Sequence, residues 1–122
     1  MYRHSENSHA ATVRRYYEFV DRSDIDGLVA LFAEASEYRR PGYEPLRGHE
    51  QLRRFYLTER VISEGHHHLD AVLIDGESAA TRGTFSGVLH DGRKVELRFA
   101  DFFVFADDKF VYRETFFFTP LV

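Results

Sequence analysis

The sequence predicts an α+β fold in which helices cover one face of a curved antiparallel sheet. Two observations carry this. Between Ser8 and Gly65 three stretches carry apolar residues at helical spacing, and beyond Gly65 the period changes to two. The second half is also divided at "DGES", "DG" and "DD", the signals of tight hairpins. Helices first and strands last is the α+β pattern.

Each element has its own signal. Ser8 is a cap residue, and Ala10, Val13, Tyr16, Tyr17 and Val20 mark a first helix ending near Asp21. Ser23 or Asp24 caps a second helix with acids in its first turn and Ile25, Leu28, Val29 and Phe32 on one face. The prolines and glycines of "SEYRRPGYEPLRG" predict a short strand over Glu37 to Arg40 that runs into an irregular loop. In "HEQLRRFYLTERVIS", Leu52, Phe55, Tyr56 and Glu59 share one side of a third helix, capped at Gly65. Segments 66–75, 78–90, 93–105 and 109–118 read as four long strands in a meander. One domain over residues 1–122 accounts for the length.

Composition narrows the function classes. At 43% hydrophobic and 30% charged residues the chain is globular, not disordered. Twelve Phe and seven Tyr with no Trp suit strand faces and the walls of an apolar cavity. The net charge of -4 gives no support for nucleic acid or an anionic membrane as partner. The three arginines of "RRFYLTER" spread around a helix and are diluted by Glu50, Glu59 and Glu64. Absence of cysteine excludes disulfides, thiolate metal sites and cysteine nucleophiles, and makes a reducing cytoplasm the expected location. "MYRHSENSHAA" lacks the apolar core of a signal peptide, and no stretch approaches ~20 consecutive apolar residues. There is no Gly-rich phosphate loop, nucleophile elbow or dinucleotide fingerprint.

The unusual stretch is "FADFFVF", residues 99–105, which sets one aspartate in a run of buried-strand character. Val95, Leu97, Phe99, Asp101, Phe103 and Phe105 share the more apolar face, so Asp101 points into the domain. An unpaired charge there costs several kcal/mol or more, so the carboxyl must be neutral, paired or hydrogen-bonded. Arg82, in a polar row with Ala80, Thr84, Ser86 and Val88, is one candidate partner; Arg40 and Tyr16 are others. A structural ion pair without catalytic role is the competing explanation.

Other clusters weigh less. His66, His68 and Asp70 alternate onto one strand face, as metal ligands would, but no ligand spacing of known specificity is present and no metal site is assigned. If that face lines a pocket, one of these histidines would serve as a proton shuttle. Glu114 shares a parity with Phe110, Tyr112, Phe116 and Phe118 and is expected to pair with Arg98 or Arg113. Phe102, Val104 and Phe117 or their neighbours fall on the sheet side away from the helices, an apolar patch that calls for a partner.

Three stretches, "RRYYEFVDRSDIDGLVALFAEASEY", "GYEPLRGHEQLRRFY" and "DGRKVELRFADFFVF", resemble ketosteroid isomerase and the SnoaL-like polyketide cyclases of the nuclear transport factor 2-like superfamily. The resemblance spans nearly the whole chain. It implies a cone-shaped fold of three N-terminal helices on a curved sheet, a homodimer through the outer sheet face, and a small-molecule ligand. It also implies cofactor-free, metal-free acid/base cyclisation or isomerisation of an aromatic or polyketide-like carbonyl compound. Non-catalytic binding on the same fold is the alternative.

Tyr16 matches the isomerase's first-helix tyrosine that donates to the substrate oxyanion, and Asp101 matches the strand aspartate that joins it, a carboxylic acid kept neutral by its apolar site. In the cyclases the aspartate at that position is the acid/base. Where the isomerase has its general base before the loop proline, this chain has Arg40 in "YRRPG". Arginine stays protonated and cannot abstract a proton, which argues against steroid double-bond isomerisation. The expected site is therefore Asp101 and Tyr16 as catalytic groups, with Arg40, Arg82, Tyr38, Phe55, Tyr56, Phe99 and Phe103 around the substrate.

Overall fold

The structure is a computed structural model that describes residues 2–118, with side chains from Ser8 onward. Helix α1 (Tyr2–Asp21) buries Val13, Tyr16, Tyr17 and Val20, the i, i+3, i+4, i+7 set of one helix face. The chain turns at Ser23, whose φ of 57° lies in the left-handed region. Asp24 then caps α2 (Ile25–Ala30) by accepting from the Gly27 backbone N–H at 2.9 Å.

The second helix stops earlier than its periodicity suggests. Strand β1 (Phe32–Arg39) begins two residues after it, with Phe32, Ser36 and Tyr38 turned inward. Sheet pairing overrides helix propensity here, because Phe32 has a parallel partner in Phe110. A two-residue β2 (Leu46–Arg47) leads into α3 (Gly48–Arg54), which passes into one π-helical turn (Phe55–Glu59). The Arg60 N–H closes that turn on the Phe55 carbonyl at 2.8 Å, and Arg60 itself is extended. Gly65 is therefore no helix cap but a residue of β3 (Ile62–Asp75).

Strands β3, β4 (Ser78–Leu89), β5 (Lys94–Ala106) and β6 (Lys109–Phe117) form the expected meander. The last hairpin turns through Asp107 and Asp108 at φ of 51° and 65°, the geometry that matches strand twist. The full order is β2-β1-β6-β5-β4-β3, a curved, unclosed six-stranded sheet with β1 parallel to β6 and the other pairs antiparallel. Helix α1 packs on β3, and the rings of Tyr16, Phe32, Phe103 and Phe110 meet edge to face inside.

Two register details decide which side chains enter the core. Thr81 pairs with Asp101, so Ala79, Thr81, Gly83 and Phe85 face inward and the row containing Arg82, Thr84 and Ser86 faces outward. Arg82 is exposed on the side of the sheet opposite to Asp101, and its expected approach to that carboxylate does not occur.

The second detail is a bulge. Phe105 pairs with Phe110 but Val104 pairs with Tyr112, so Val111 is an extra residue and the parity of β6 switches there. Phe110, Arg113 and Thr115 all become buried, Phe117 turns inward, and Phe116 turns out. The expected pairing of Glu114 with Arg98 or Arg113 does not occur among the described residues: Arg113, its neighbour in the strand, faces the other side, and Glu114 instead accepts from the Tyr112 hydroxyl at 2.6 Å. On the outer face Phe102 (50% exposed), Val104 and Phe116 (46%) lie together, with Phe102 and Phe116 rings 5.8 Å apart. Among the described residues no helix is long and apolar enough to cross a membrane.

Candidate active site

Asp101 lies inside the domain, wholly buried and not alone. Its Oδ2 accepts from Arg113 Nη2 at 2.9 Å and from the Tyr17 hydroxyl; its Oδ1 accepts from Thr115 Oγ1. Tyr17 spends its one proton on the carboxylate, so the Thr81 hydroxyl, 2.8 Å away, must donate to it. By the same count, Thr115 donates to Asp101, Tyr38 donates to Thr115 at 2.9 Å, and Arg40 Nη1 donates to Tyr38 at 3.0 Å. Arg40 thus reaches Asp101 through two hydroxyls and not directly.

Arg113 occupies the centre. Its Nη1 donates to Tyr16 at 2.5 Å and to Tyr56 at 3.3 Å, whose hydroxyls also bond each other. Its guanidinium carbon sits 4.4 Å from the Tyr38 ring centroid, 4.7 Å from Tyr16 and 5.7 Å from Phe103. Burial opposes the Arg113 charge, but Asp101 and the phenol oxygens of Tyr16, Tyr38 and Tyr56 more than offset this and raise its pKa well above the usual value. Burial, with the Asp101 charge beside Tyr17, pushes both Tyr16 and Tyr17 well above the ordinary phenol range. Both stay neutral.

On the opposite wall, α1 and β3 bring Asp21 to His67. The Asp21 carboxylate receives the His67 backbone N–H at 2.9 Å on one oxygen and meets the ring Nδ1 at 2.6 Å with the other. A proton on Nδ1 satisfies that contact and leaves Nε2 as the basic nitrogen. The ring packs among Tyr17, Phe85 and Phe99. Burial pulls the His67 pKa below its usual value against the pull of Asp21, so the ring is neutral near pH 7. His66 and His68 are exposed, on the other parity of β3; the histidine inside is the middle one of "HHH". Among the described residues no group of three metal-ligating side chains converges.

Arg40, Arg60, Ile62, His67, Phe85, Phe99, Asp101, Arg113, Thr115 and Phe117 enclose a cavity of about 10 Å³, close to the room one water needs. Of the expected site residues, Asp101, Arg40 and Phe99 line it. Tyr16, Tyr56 and Phe103 stand behind Arg113, while Tyr38 bonds to Arg40 and Phe55 stacks with it. Sequence reading did not select Arg113, His67, Arg60, Tyr17 or Thr115 for the site. Tyr17 had a visible signal, since it follows Tyr16 on the buried face of α1. Arg113 and Thr115 had none, because a one-residue bulge leaves the alternation on either side of it intact.

A neutral histidine oriented by a carboxylate, facing a carboxylate-bound arginine across a Phe-lined cavity, is an arrangement for acid/base work. The sequence profile of the SnoaL-like domain matches residues 13–113. The chain belongs to the SnoaL-like family. The SnoaL-like match includes every residue of the site, from Tyr16 to Arg113, except Thr115 and Phe117. A comparison with curated protein sequences gives no match.

Among solved structures, a nuclear transport factor 2-like protein of unknown function from Burkholderia pseudomallei superposes with a TM-score of 0.82 at 24% identity, over 90% of each chain. TerC, co-crystallised with polyporic acid, gives 0.81 at 18% identity over 90% of this chain and 91% of its own. SalBIII, an epoxide hydrolase/cyclase-like enzyme of pyran ring formation in the polyether salinomycin, gives 0.81 at 18% over 92% of each. At these identities the likeness is one of fold.

Proposed function

We propose that this SnoaL-like protein is a small-molecule enzyme that performs acid/base cyclisation or isomerisation of an aromatic or polyketide-like carbonyl compound, without a cofactor. The observation that carries the reading is the Asp21–His67 contact at 2.6 Å, which presents a neutral imidazole on the cavity wall. His67 Nε2 takes a proton from the carbon next to the substrate carbonyl, and a neighbouring guanidinium stabilises the enolate oxygen that results. In isomerisation the protonated ring returns the proton at the new carbon; in cyclisation the enolate carbon forms its bond to a second carbonyl carbon of the same molecule, that C=O π bond opens to an alkoxide, and the ring gives its proton to the alkoxide oxygen. Asp101, with both oxygens engaged by donors, serves as the fixed charge that holds Arg113; Tyr16 and Tyr56 position the same arginine from behind. Arg40, in place of a base, supports the loss of steroid double-bond isomerisation. TerC, co-crystallised with polyporic acid, and SalBIII, an epoxide hydrolase/cyclase-like enzyme of pyran ring formation in the polyether salinomycin, support the substrate class.

A substrate-independent assay tests this. Solvent deuterium exchange into the α-position of 2-tetralone, followed by NMR, is expected to be faster with the protein than with buffer, and His67→Gln is expected to lose about 10²-fold or more of that excess. Equal rates for wild type and variant would remove His67 from the chemistry. Non-catalytic binding is favoured by one observation, the engagement of both Asp101 oxygens by protein donors; it predicts a tetralone-induced shift in the NMR spectrum with no exchange.

We also propose a homodimer in which a second copy covers Phe102, Val104 and Phe116. The absence of cysteine supports a cytoplasmic location.

A further inference from the structure

The cavity is unbalanced in charge. Three guanidinium groups, those of Arg40, Arg60 and Arg113, share its wall with one carboxylate, Asp101. Arg113 takes that carboxylate. Among the described residues no carboxylate pairs with Arg40 or Arg60, and the Nε atoms of all three arginines are buried without a hydrogen-bond partner. Arg40 is 8% exposed, and among the described residues its guanidinium has one hydrogen-bond partner, the Tyr38 hydroxyl.

Aromatic rings take up part of the burden. Arg40 lies 5.2 Å from the Phe55 centroid and 5.0 Å from Phe117, and Arg60 lies 5.6 Å from Tyr56. Rings stabilise a cation but do not neutralise it, and arginine does not shed its proton to escape. Burial, reinforced by the nearby charge of Arg40, pulls Arg60 below its usual pKa, which shows how poorly its charge is compensated. Burial opposes the Arg40 charge too, but the Tyr38 and Tyr56 hydroxyl oxygens outweigh it and raise its pKa, so Arg40 stays a firmly held cation beside a half-buried Arg60. Two guanidinium groups on one wall with no carboxylate between them make a site that attracts an anion.

We propose that Arg40 and Arg60 form an anion subsite, and that the ligand is a planar organic carboxylate held by their guanidinium forks while its ring or conjugated body lies against Phe85, Phe99 and Phe117. This rests on the cavity being a small-molecule site and names the class of molecule it takes. Planar forks match a carboxylate, and flat rings match a flat body. At about 10 Å³ the cavity takes such a ligand only when Arg60 swings outward, and Arg60 also borders an outer groove of about 370 Å³ whose lining carries the charges of Glu59, Asp91 and Arg93 beside Val61, Leu89 and His90. Entry therefore runs past Arg60, at the end of the π-helical turn.

The test is calorimetric titration with benzoate and with its neutral isostere benzamide. Benzoate is expected to bind at least about tenfold tighter, and Arg40→Gln and Arg60→Met are each expected to weaken benzoate by about tenfold while leaving benzamide unchanged. Equal affinity for the two probes, no detectable benzoate binding, or benzoate binding indifferent to both substitutions would overturn the inference. Folding provides a second reading. Arg60→Met replaces an unpaired, half-buried cation by an apolar side chain, so the ligand-free variant should melt no lower than wild type, and a clear drop counts against a poorly compensated charge. His67→Gln separates this inference from the proposed chemistry: benzoate bound by that variant without exchange activity in the wild type leaves the subsite standing alone, and exchange activity without benzoate binding leaves only the chemistry.

Discussion

Arg113 and Asp101 form a diagonal pair across two adjacent strands: the guanidinium of β6 reaches the carboxylate of β5 at 2.9 Å, although the register sets Thr115 opposite Asp101 and Phe103 opposite Arg113. The diagonal exists because Thr115 fills the direct position and donates to the other carboxylate oxygen. Every donor around Asp101 thus comes from an element fixed by packing: α1 through Tyr17, and β6 through both Arg113 and Thr115. A charge held this way is suited to orientation more than to proton exchange with a ligand.

Breaking that pair from one side should be severe. Arg113→Met leaves a buried carboxylate without its cation and is expected to cost about 3–5 kcal/mol in urea unfolding, and Asp101→Asn should cost a comparable amount. The double variant should lose less than the two single losses added together, by about 1–3 kcal/mol. Strict additivity would show that the two groups are not energetically coupled.

His67 gives a pH signature with a definite sign. Its pKa in the folded protein lies below the unfolded value of about 6.5, because burial disfavours the charged ring. As pH falls below ~6.5 the unfolded chain takes up a proton before the folded one does, so the contribution of His67 to stability is full above that pH and is lost below it. The melting temperature of the wild type should therefore fall between pH 7 and pH 5.5, and His67→Gln should flatten part of that slope. Parallel slopes would mean that the ring is not held neutral.

Much of this fold was legible because long strands and their two-residue turns leave strong local marks; the four strands from β3 to β6 lie within a few residues of their expected bounds. What escaped was set by contacts distant in sequence. Phe32 continues a helical pattern yet belongs to β1, because Phe110 is its partner. The π-helical turn at Phe55–Glu59 keeps a helical composition but rotates Arg60 toward the cavity. Asp101 was identifiable as the buried acid from β5 alone, whereas its partner was not. Choosing between Arg82 and Arg113 requires the pairing of β4 and the bulge at Val111, and neither is written in local alternation.

Arg82 is the control for this choice. It is exposed and faces away from Asp101, so Arg82→Ala should change stability by no more than about 0.5 kcal/mol and leave tetralone exchange unaltered. A loss like that of Arg113→Met would mean that β4 sits one residue out of its register with β5.

The outer face makes the last prediction. Phe102 and Phe116 touch edge to face while half exposed, beside Val104, and a row of rings facing water is unfavourable by the full transfer free energy of its apolar area. A stable pair of copies buries on the order of 1,600 Å² in total, which a sheet face of this width can supply. Sedimentation at micromolar concentration is expected to give a dimer for the wild type and a monomer for Phe102→Asp or Phe116→Asp, since a carboxylate at the centre of an apolar contact must be desolvated without a partner. Phe102→Leu, which keeps the apolar surface, should remain dimeric. The cavity lies on the other side of the sheet, so benzoate binding by the monomeric variants should match the wild type; a monomeric wild type would show that the exposed rings serve no self-association.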